Sequence, residues 1–144
     1  MKELLVIQNF GDWKGGVPLD VNKSILQDIR LAVGLSADTV DFDTDLLMHI
    51  NSAIGKLNQN GIGNFLVVQN DEPTWSDLQN PEQTEGNKYF QMVPLFITLS
   101  TKLLFDPPPP SSVEYHASNA DQILWRLKIA YEDFTPITTT TTSY

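Results

Sequence analysis

The sequence predicts a mainly α-helical fold: a small bundle of about four helices, with a short β hairpin or strands and an extended C-terminal tail. Three observations support this prediction. Apolar residues recur every three or four positions in several stretches, glycine and proline separate those stretches, and residues 135–144 are rich in threonine. The chain has 144 residues, 41% of them hydrophobic, which suits one domain with a modest core. We expect an N-terminal extension at 1–21, a helical domain at 22–131 and the tail at 132–144.

The N-terminal part combines strand and loop signals. Residues 3–8 contain Val and Ile and favour a short strand, whereas residues 9–18 contain three glycines and a proline and favour a loop. A first helix then begins after Asn22 or Ser24, since either residue is a suitable N-cap, and Gly34 ends it.

The most regular apolar pattern follows residue 44 and predicts a long second helix. Asp43 or Thr44 is expected to cap its N-terminus, where carboxylates also favour the positive end of the helix dipole. Asn60-Gly61 is a C-terminal stop. The expected buried stripe is Leu46, Leu47, Ile50, Ala53, Ile54 and Leu57.

Shorter elements precede a third long helix. Residues 65–68, Phe-Leu-Val-Val, favour a short strand, and Thr74 is placed to cap a helical turn at 74–78. The third helix is expected at 89–105, and Pro94 within it predicts either a kink or a late start. Its expected apolar face is Phe90, Val93, Ile97, Ser100, Leu103 and Leu104, with Phe96 beside it.

Four consecutive prolines separate this helix from the last one. Asp106 ends the third helix, because a residue before proline avoids the α region. The prolines are expected to form a polyproline II spacer of roughly 12 Å, at about 3.1 Å per residue. Ser111 and Glu114 have the spacing of a capping box and open the last helix. The predicted structural link is Asp106, Pro107, Pro108, Pro109 and Pro110.

The last helix has apolar positions at a spacing close to a heptad: Val113, Ala117, Ala120, Leu124, Leu127 and Tyr131, with Ile123 alongside. Trp125 lies one position off this stripe, beside Arg126. It forms either a side wall of the core or a contact on another subunit, because Trp and Arg are common interface anchors.

The tail contains five consecutive threonines and nothing that builds a core. Its β-branched residues suit strand addition to a neighbouring molecule. The candidate interface residues are Trp125, Arg126, Phe134, Ile137, Thr138, Thr139, Thr140 and Tyr144.

Composition narrows the possible chemistry. The chain has no cysteine, which excludes disulfides and thiolate nucleophiles. It has only two histidines, which limits the remaining catalytic options. Its net charge is −9 and its nine basic residues are scattered, so tight nucleic-acid binding is not expected. The apolar run at 4–7 is too short for a signal peptide, and no run approaches the roughly 18 residues that span a membrane. We therefore expect synthesis in the cytoplasm and no membrane association.

Two patterns resemble sites but lack essential residues. Asp41, Asp43 and Asp45 resemble the start of a calcium loop, yet Leu46 and Ser52 stand where that loop needs Gly and Glu. A helix-capping cluster is the better interpretation. Gly61-x-Gly63 follows a helix rather than a strand, which is the wrong order for a dinucleotide site.

The two histidines also lack the partners that a site needs. His49 lies one turn after Asp45 without an apparent third metal ligand, and His116 has no evident partner. We expect no catalytic residue, no metal and no cofactor, and hence no enzyme. A small hydrolase using His49 and an aspartate is the enzymatic alternative.

Three stretches, in this order, resemble the head–tail connector (head-completion adaptor) proteins of tailed bacteriophages. They are DFDTDLLMHINSAIGKLNQNGIG at 41–63, TWSDL at 74–78, and KLLFDPPPPSS with ILWRL between 102 and 127. The resemblance covers about residues 22–131. The chain departs from the family pattern at Pro94, in having four prolines rather than two, in residues 1–20 and in its threonine tail.

The resemblance implies a non-enzymatic virion protein at the head–tail interface, assembled as a ring of typically twelve copies. It implies three kinds of partner: further copies of the chain, the portal protein, and the next head-completion or tail protein. It also implies that DNA passes through the ring without specific binding.

Two sequence features acquire a role in such a ring. The proline link fixes the angle between the two longest helices, and an acidic lumen repels DNA phosphates. The alternative interpretation is that the proline link is a simple rigid helix–helix turn in a monomer. We expect residues 64–72 and 135–144 to be contact segments. The alternative function is a soluble helical regulatory or interaction module, monomeric or dimeric, without a virion role.

Overall fold

The computed structural model describes residues 20–79 and 91–134, except for the side chains of 132–134. This part contains four α-helices and no β-strand. The helices are α1 (Ile25–Ala32), α2 (Asp43–Gln59), α3 (Met92–Phe105) and α4 (Pro110–Phe134), with a 3-10 turn at Trp75–Leu78. The prediction of a mainly helical fold is confirmed. The strand predicted at 65–68 is wrong, because those residues have no regular secondary structure.

The third helix is the centre of the bundle. It packs against α2 on one side and α4 on the other, and α1 packs on both α2 and α3. Its buried residues are Val93, Pro94, Phe96, Ile97 and Thr101. Leu104, predicted on the buried face, is instead 58% exposed because it lies in the last turn, where the helix leaves the core.

The start of α1 is fixed by its cap and by the 3-10 turn. Ser24 caps the helix as predicted, and its hydroxyl accepts a hydrogen bond from the Gln27 amide at 3.2 Å. Ile25 donates its amide to the Pro73 carbonyl at 3.0 Å. Trp75 is buried, and its indole nitrogen donates to Asp28 at 2.8 Å. Thr74 is the N-cap of the 3-10 turn, as predicted.

The second helix has the predicted stripe and stop but a different start. Leu46, Ile50, Ala53, Ile54 and Leu57 are buried, and Leu47 is partly buried. The chain turns after the helix at Asn60 and Gly61, whose φ is +77°. Neither Asp43 nor Thr44 is the N-cap: Phe42 occupies that position and forms no side-chain cap. Asp43 does not cap the helix because its carboxylate binds Arg30 instead.

The third helix begins late, which is one of the two outcomes expected of Pro94. Its first residue is Met92, so the proline is the third residue of the helix. Amides in the first turn have no intrahelical acceptor, and the missing proline N–H therefore costs no hydrogen bond. Tyr89 and Phe90 lie outside the described residues.

Several other sequence predictions concern residues that the structure does not describe. These are the strand at 3–8, the loop at 9–18, the polar loop at 80–86 and the tail at 135–144. None of the helices in the described part is long and apolar enough to cross a membrane.

Candidate interaction surfaces

The outer face of α4 carries exposed aromatic and apolar side chains. Trp125 is 64% exposed, Tyr115 66% and Ile129 38%. The opposite face is buried and contributes Ala120, Ile123, Leu127, Ala130 and Tyr131 to the core. Successive residues of a helix are turned by about 100°, which places Trp125 roughly 160° from Leu127. Trp125 therefore points away from the core rather than forming its side wall.

The exposed tryptophan has the properties of an interface anchor. A Trp side chain contributes a large apolar area, and Trp, Tyr and Arg are enriched among the residues that dominate binding energies. Arg126, also predicted as an interface residue, is exposed and forms no ion pair with any other residue of the described ranges. Helix α4 thus presents Trp125, Arg126 and Ile129 on surface that its own bundle leaves uncovered.

The proline link joins α3 to α4 by a short non-helical segment. Asp106 ends α3 as predicted, with φ −137° and ψ 73°, and its amide donates to the Lys102 carbonyl at 2.9 Å. Only Asp106 to Pro109 lie outside both helices, because α4 already begins at Pro110. The first position of a helix suits proline, since its φ is preset and its missing N–H would have no partner there.

The predicted capping box at Ser111 and Glu114 is therefore wrong. Both residues lie inside α4 and are exposed. Ser112 instead donates its amide to the Pro109 carbonyl at 2.9 Å, and its hydroxyl donates to the same oxygen at 3.2 Å. The prolines that remain outside the helix number three rather than four, so the spacer is shorter than predicted, about 9 Å at 3.1 Å per residue if it is polyproline II.

An aromatic pair lies where the link leaves α3. Phe42, which precedes α2, and Phe105, the last residue of α3, stack edge to face with ring centres 5.7 Å apart. Phe42 is 43% exposed, and two further apolar side chains, Val40 and Leu104, are more than half exposed. The sequence analysis missed this pair, because both residues lie off the helical stripes that periodicity detects.

A buried arginine joins α1 to the start of α2. Arg30 is 3% exposed and donates to both carboxylate oxygens of Asp43, at 2.9 and 2.6 Å. A third hydrogen bond, at 2.6 Å, goes to the Ala37 carbonyl. The hydrogen bonds and charge of Asp43 raise the pKa of Arg30 above its usual value, although burial opposes this. One member of the aspartate cluster, Asp43, thus forms a buried ion pair, a role that sequence spacing did not indicate.

Two asparagines of α2 bind the segment 65–68. The Asn51 side chain donates to the Val68 carbonyl at 2.8 Å and accepts from its amide at 2.7 Å. Asn58 forms the same pair of bonds with Phe65, at 3.0 and 2.9 Å. The two asparagines are seven residues apart, which is about 10.5 Å along a helix. Three residues span that distance only if the chain between Phe65 and Val68 is nearly extended.

Beside this segment lies a groove of about 500 Å³, which we call the 65–68 groove. Its apolar lining includes Ile25, Phe65, Leu66, Val67, Pro73 and Leu78. Leu66 is 85% exposed and Val67 57%. The predicted contact segment 64–72 therefore contains two exposed apolar side chains on a segment that α2 holds in place.

The residues weighed as metal ligands are not assembled into a site. Within the described ranges, no group of three His, Asp or Glu side chains lies close enough together to hold a metal ion. His116 stacks edge to face on Tyr115, with ring centres 5.4 Å apart. His49 is partly buried on α2, one turn from Asp45.

The remaining candidate interface residues lie at or beyond the end of α4. Phe134 is the last residue of that helix, but its side chain is not described. Ile137, Thr138, Thr139, Thr140 and Tyr144 lie outside the described residues. The role of the tail therefore stays a prediction.

Comparison with known proteins places the chain in a family. A family model described as "Phage connector protein" matches residues 25–133, which covers the four helices except for Phe134, the last residue of α4. No curated protein and no solved structure matches the chain. The matched range agrees with the extent of the resemblance seen in the sequence, about residues 22–131. The chain belongs to the phage connector protein family, a family of structural, non-enzymatic phage proteins found in the virion.

Proposed function

We propose that this connector forms a closed ring of typically twelve copies, placed between the portal and the tail-side proteins. In this proposal the ring binds the portal on one side and the next head-completion or tail protein on the other. DNA passes through it without specific binding. The observation that carries the proposal is the uncovered face of α4, with Trp125 at 64% exposure in a chain of the connector family.

A ring needs a contact between two different surfaces of neighbouring copies. Such a head-to-tail contact closes when its rotation divides the circle. Helix α4 has 25 residues, about 37 Å, and its exposed aromatic side chains, Tyr115 and Trp125, lie about 15 Å apart along it. Burial of one Trp side chain in such a contact is a typical hot spot, worth about 2 kcal/mol or more.

The link between α3 and α4 supports the same proposal. A ring closes only if each copy holds its helices at the same angle. Three prolines between Asp106 and the start of α4 restrict the backbone, and Pro110 begins the helix itself. The Phe42–Phe105 pair packs the end of α3 against the start of α2, directly before this link.

The charge of the chain supports passage of DNA rather than binding. The net charge is −9, and an acidic channel wall repels phosphates. Portal and tail-side proteins would meet the ring through the tail at 135–144 and the segment 64–72. Truncation after Phe134 tests the tail: unchanged assembly and unchanged partner affinity would remove it from the proposal.

The experiment that tests ring formation compares two variants on α4 with the unchanged chain. Trp125→Ala removes an exposed side chain and should leave the free energy of unfolding within about 0.5 kcal/mol. It should reduce the yield of rings, measured by native mass spectrometry of the chain mixed with its portal protein. Gln122→Ala, an exposed polar position on the same face, is the matched control and should assemble normally. Normal rings from Trp125→Ala would contradict the proposed interface.

A further inference from the structure

The segment 65–68 is held by α2 at both ends without being a regular β-strand. Asn51 and Asn58 occupy the backbone groups of Val68 and Phe65 from the side of α2. The backbone groups of Leu66 and Val67 form no hydrogen bond with any residue of the described ranges. An extended segment with unpaired peptide groups and exposed apolar side chains readily accepts a further strand.

The chain enters the bundle beside this segment. The Val21 carbonyl accepts a hydrogen bond from the Ser76 amide at 2.8 Å, and the Lys23 carbonyl accepts from Trp75 at 3.3 Å. Asp77, which follows Ser76, lines the 65–68 groove, and so does Ile25, two residues after Lys23. Residues 1–19 therefore connect to the described structure at the rim of the groove.

The length of the connection allows residues 4–7 to reach the groove. Thirteen residues, 8–20, join Ile7 to Val21, and three of them are glycines. A flexible linker of that length has a root-mean-square span of about 20 Å. A segment tethered at this distance has an effective concentration in the millimolar range, so even a weak strand contact is populated.

The chemistry of the groove favours this segment over the other parts of the chain that lie outside the described ranges. Leu4-Leu5-Val6-Ile7 is a continuous apolar run with two β-branched residues, and it matches the apolar lining. The two residues before it, Lys2 and Glu3, have opposite charges, so the match depends on apolar side chains rather than on charge.

The two competing segments fit less well. Residues 80–90 carry a net charge of −1, from Glu82, Glu85 and Lys88, beside the acidic Asp77 of the groove, and their longest apolar run is Tyr89-Phe90. Residues 135–144 carry no charged side chain and are mainly threonine, so they bury little apolar area.

We propose that the 65–68 groove is a strand-acceptor site and that the segment Leu4–Ile7 of the same chain occupies it. The strand pairs with the backbone of Leu66 or of Val67, since successive residues of an extended chain direct their peptide groups to opposite edges, and it buries part of their exposed apolar surface. In the isolated chain it thereby covers an edge that would otherwise recruit strands from other chains, and a partner that meets the segment 64–72 has to displace it. This inference concerns the isolated chain and does not depend on ring formation or on any partner.

The test uses the absence of cysteine, which allows disulfides to be introduced without competition. Val67→Cys is combined in turn with a cysteine at Leu4, Leu5, Val6 or Ile7, and intramolecular disulfides are quantified by peptide mapping after mild oxidation. Val67→Cys with Thr139→Cys, with Gln83→Cys and with Ser111→Cys are the control pairs. Because Val67 is exposed, these variants should fold, and circular dichroism verifies it.

The expected result is a disulfide yield roughly tenfold above the controls at alternate positions of 4–7, because strand side chains alternate between faces. Deleting residues 1–8 should accelerate amide exchange by roughly tenfold or more at one of the two residues Leu66 and Val67, the one that pairs with the strand. The proposal is overturned if the four positions give control yields, if they give equal yields without alternation, or if Thr139 or Gln83 gives the highest yield. Unchanged exchange after the deletion would also overturn it.

Discussion

Asn51 and Val68 exchange two hydrogen bonds, with the side-chain amide of one residue pairing with the main chain of the other at 2.7 and 2.8 Å. About two turns further along α2, Asn58 forms the same pair of hydrogen bonds with Phe65. Helix α2 thus substitutes two side chains for the neighbouring strand that a short β segment normally needs. This explains why a Phe-Leu-Val-Val sequence is held nearly straight without belonging to a sheet.

Replacing the half-buried Asn51 should destabilise the fold substantially. Val68 is 2% exposed, so Asn51→Ala leaves a buried amide and carbonyl without their partners. We expect a loss of about 2 kcal/mol in the free energy of unfolding, measured by urea denaturation. Gln59→Ala, an exposed position of the same helix, is the control and should change it by less than about 0.5 kcal/mol. Equal effects of the two substitutions would contradict this role.

Removing the charge of Asp43 should lower the free energy of unfolding, because Arg30 is then buried without a counter-charge. Asp43→Asn keeps the shape but leaves a nearly buried guanidinium without its counter-charge, and we expect a loss of about 2 to 3 kcal/mol. Asp41→Asn, in the same acidic run but exposed, should have little effect. The loss of stability of the two variants is measured by thermal unfolding. A larger loss from Asp41→Asn than from Asp43→Asn would refute the role of the Arg30–Asp43 ion pair.

The stability of the fold should decrease at alkaline pH because of Tyr131. Burial raises the pKa of Tyr131 above its ordinary value of 10.0, since the buried phenolate is disfavoured. Below pH 10 the phenol is neutral in both states and its stabilisation is fully present. As pH rises above 10, the unfolded chain ionises first, so stability falls until the raised pKa is passed.

The measurement is the free energy of unfolding between pH 8 and pH 11 for the unchanged chain and for Tyr131→Phe. The slope above pH 10 should be smaller in the variant. Identical slopes would show that Tyr131 does not contribute to the alkaline loss. Arg30 does not complicate this range, because its raised pKa lies still higher.

Glycine in the proline link should impair assembly more than folding. Pro108→Gly and Pro109→Gly increase the entropy of the unfolded chain, which costs about 0.4 to 1 kcal/mol each. The larger effect should be on ring yield with the portal protein, because the angle between α3 and α4 is then less restricted. Pro18→Gly, far from the link in sequence, is the control. Parallel losses of monomer stability and ring yield would favour a simple rigid turn.

Helical positions could be predicted from the sequence because they depend on local signals. The stripe of α2, the Ser24 cap, the stop at Asn60-Gly61 and the late start at Pro94 all follow from residues within one or two turns. The predictions were wrong where a residue distant in sequence determines the local structure. Asp43 binds Arg30, thirteen positions away, instead of capping α2. Residues 65–68 form hydrogen bonds with asparagines of α2 instead of with a neighbouring strand.

The interaction surface was only partly predictable. Trp125 was recognised because it falls off the apolar stripe, which is a property of the sequence alone. The Phe42–Phe105 pair and the 65–68 groove depend on elements that are distant in sequence, and no spacing rule reveals them. Family membership was recognised from ordered motifs rather than from any single residue, and the match over residues 25–133 agrees with them.

The most direct test of the connector role is to delete the gene in the phage that encodes this chain and to image the lysate by electron microscopy. The account predicts empty or DNA-leaking heads beside unattached tails, and rescue by a plasmid copy of the unchanged chain but poor rescue by Trp125→Ala. Normal, joined and infectious particles from the deletion would contradict the account and favour a soluble interaction module without a virion role.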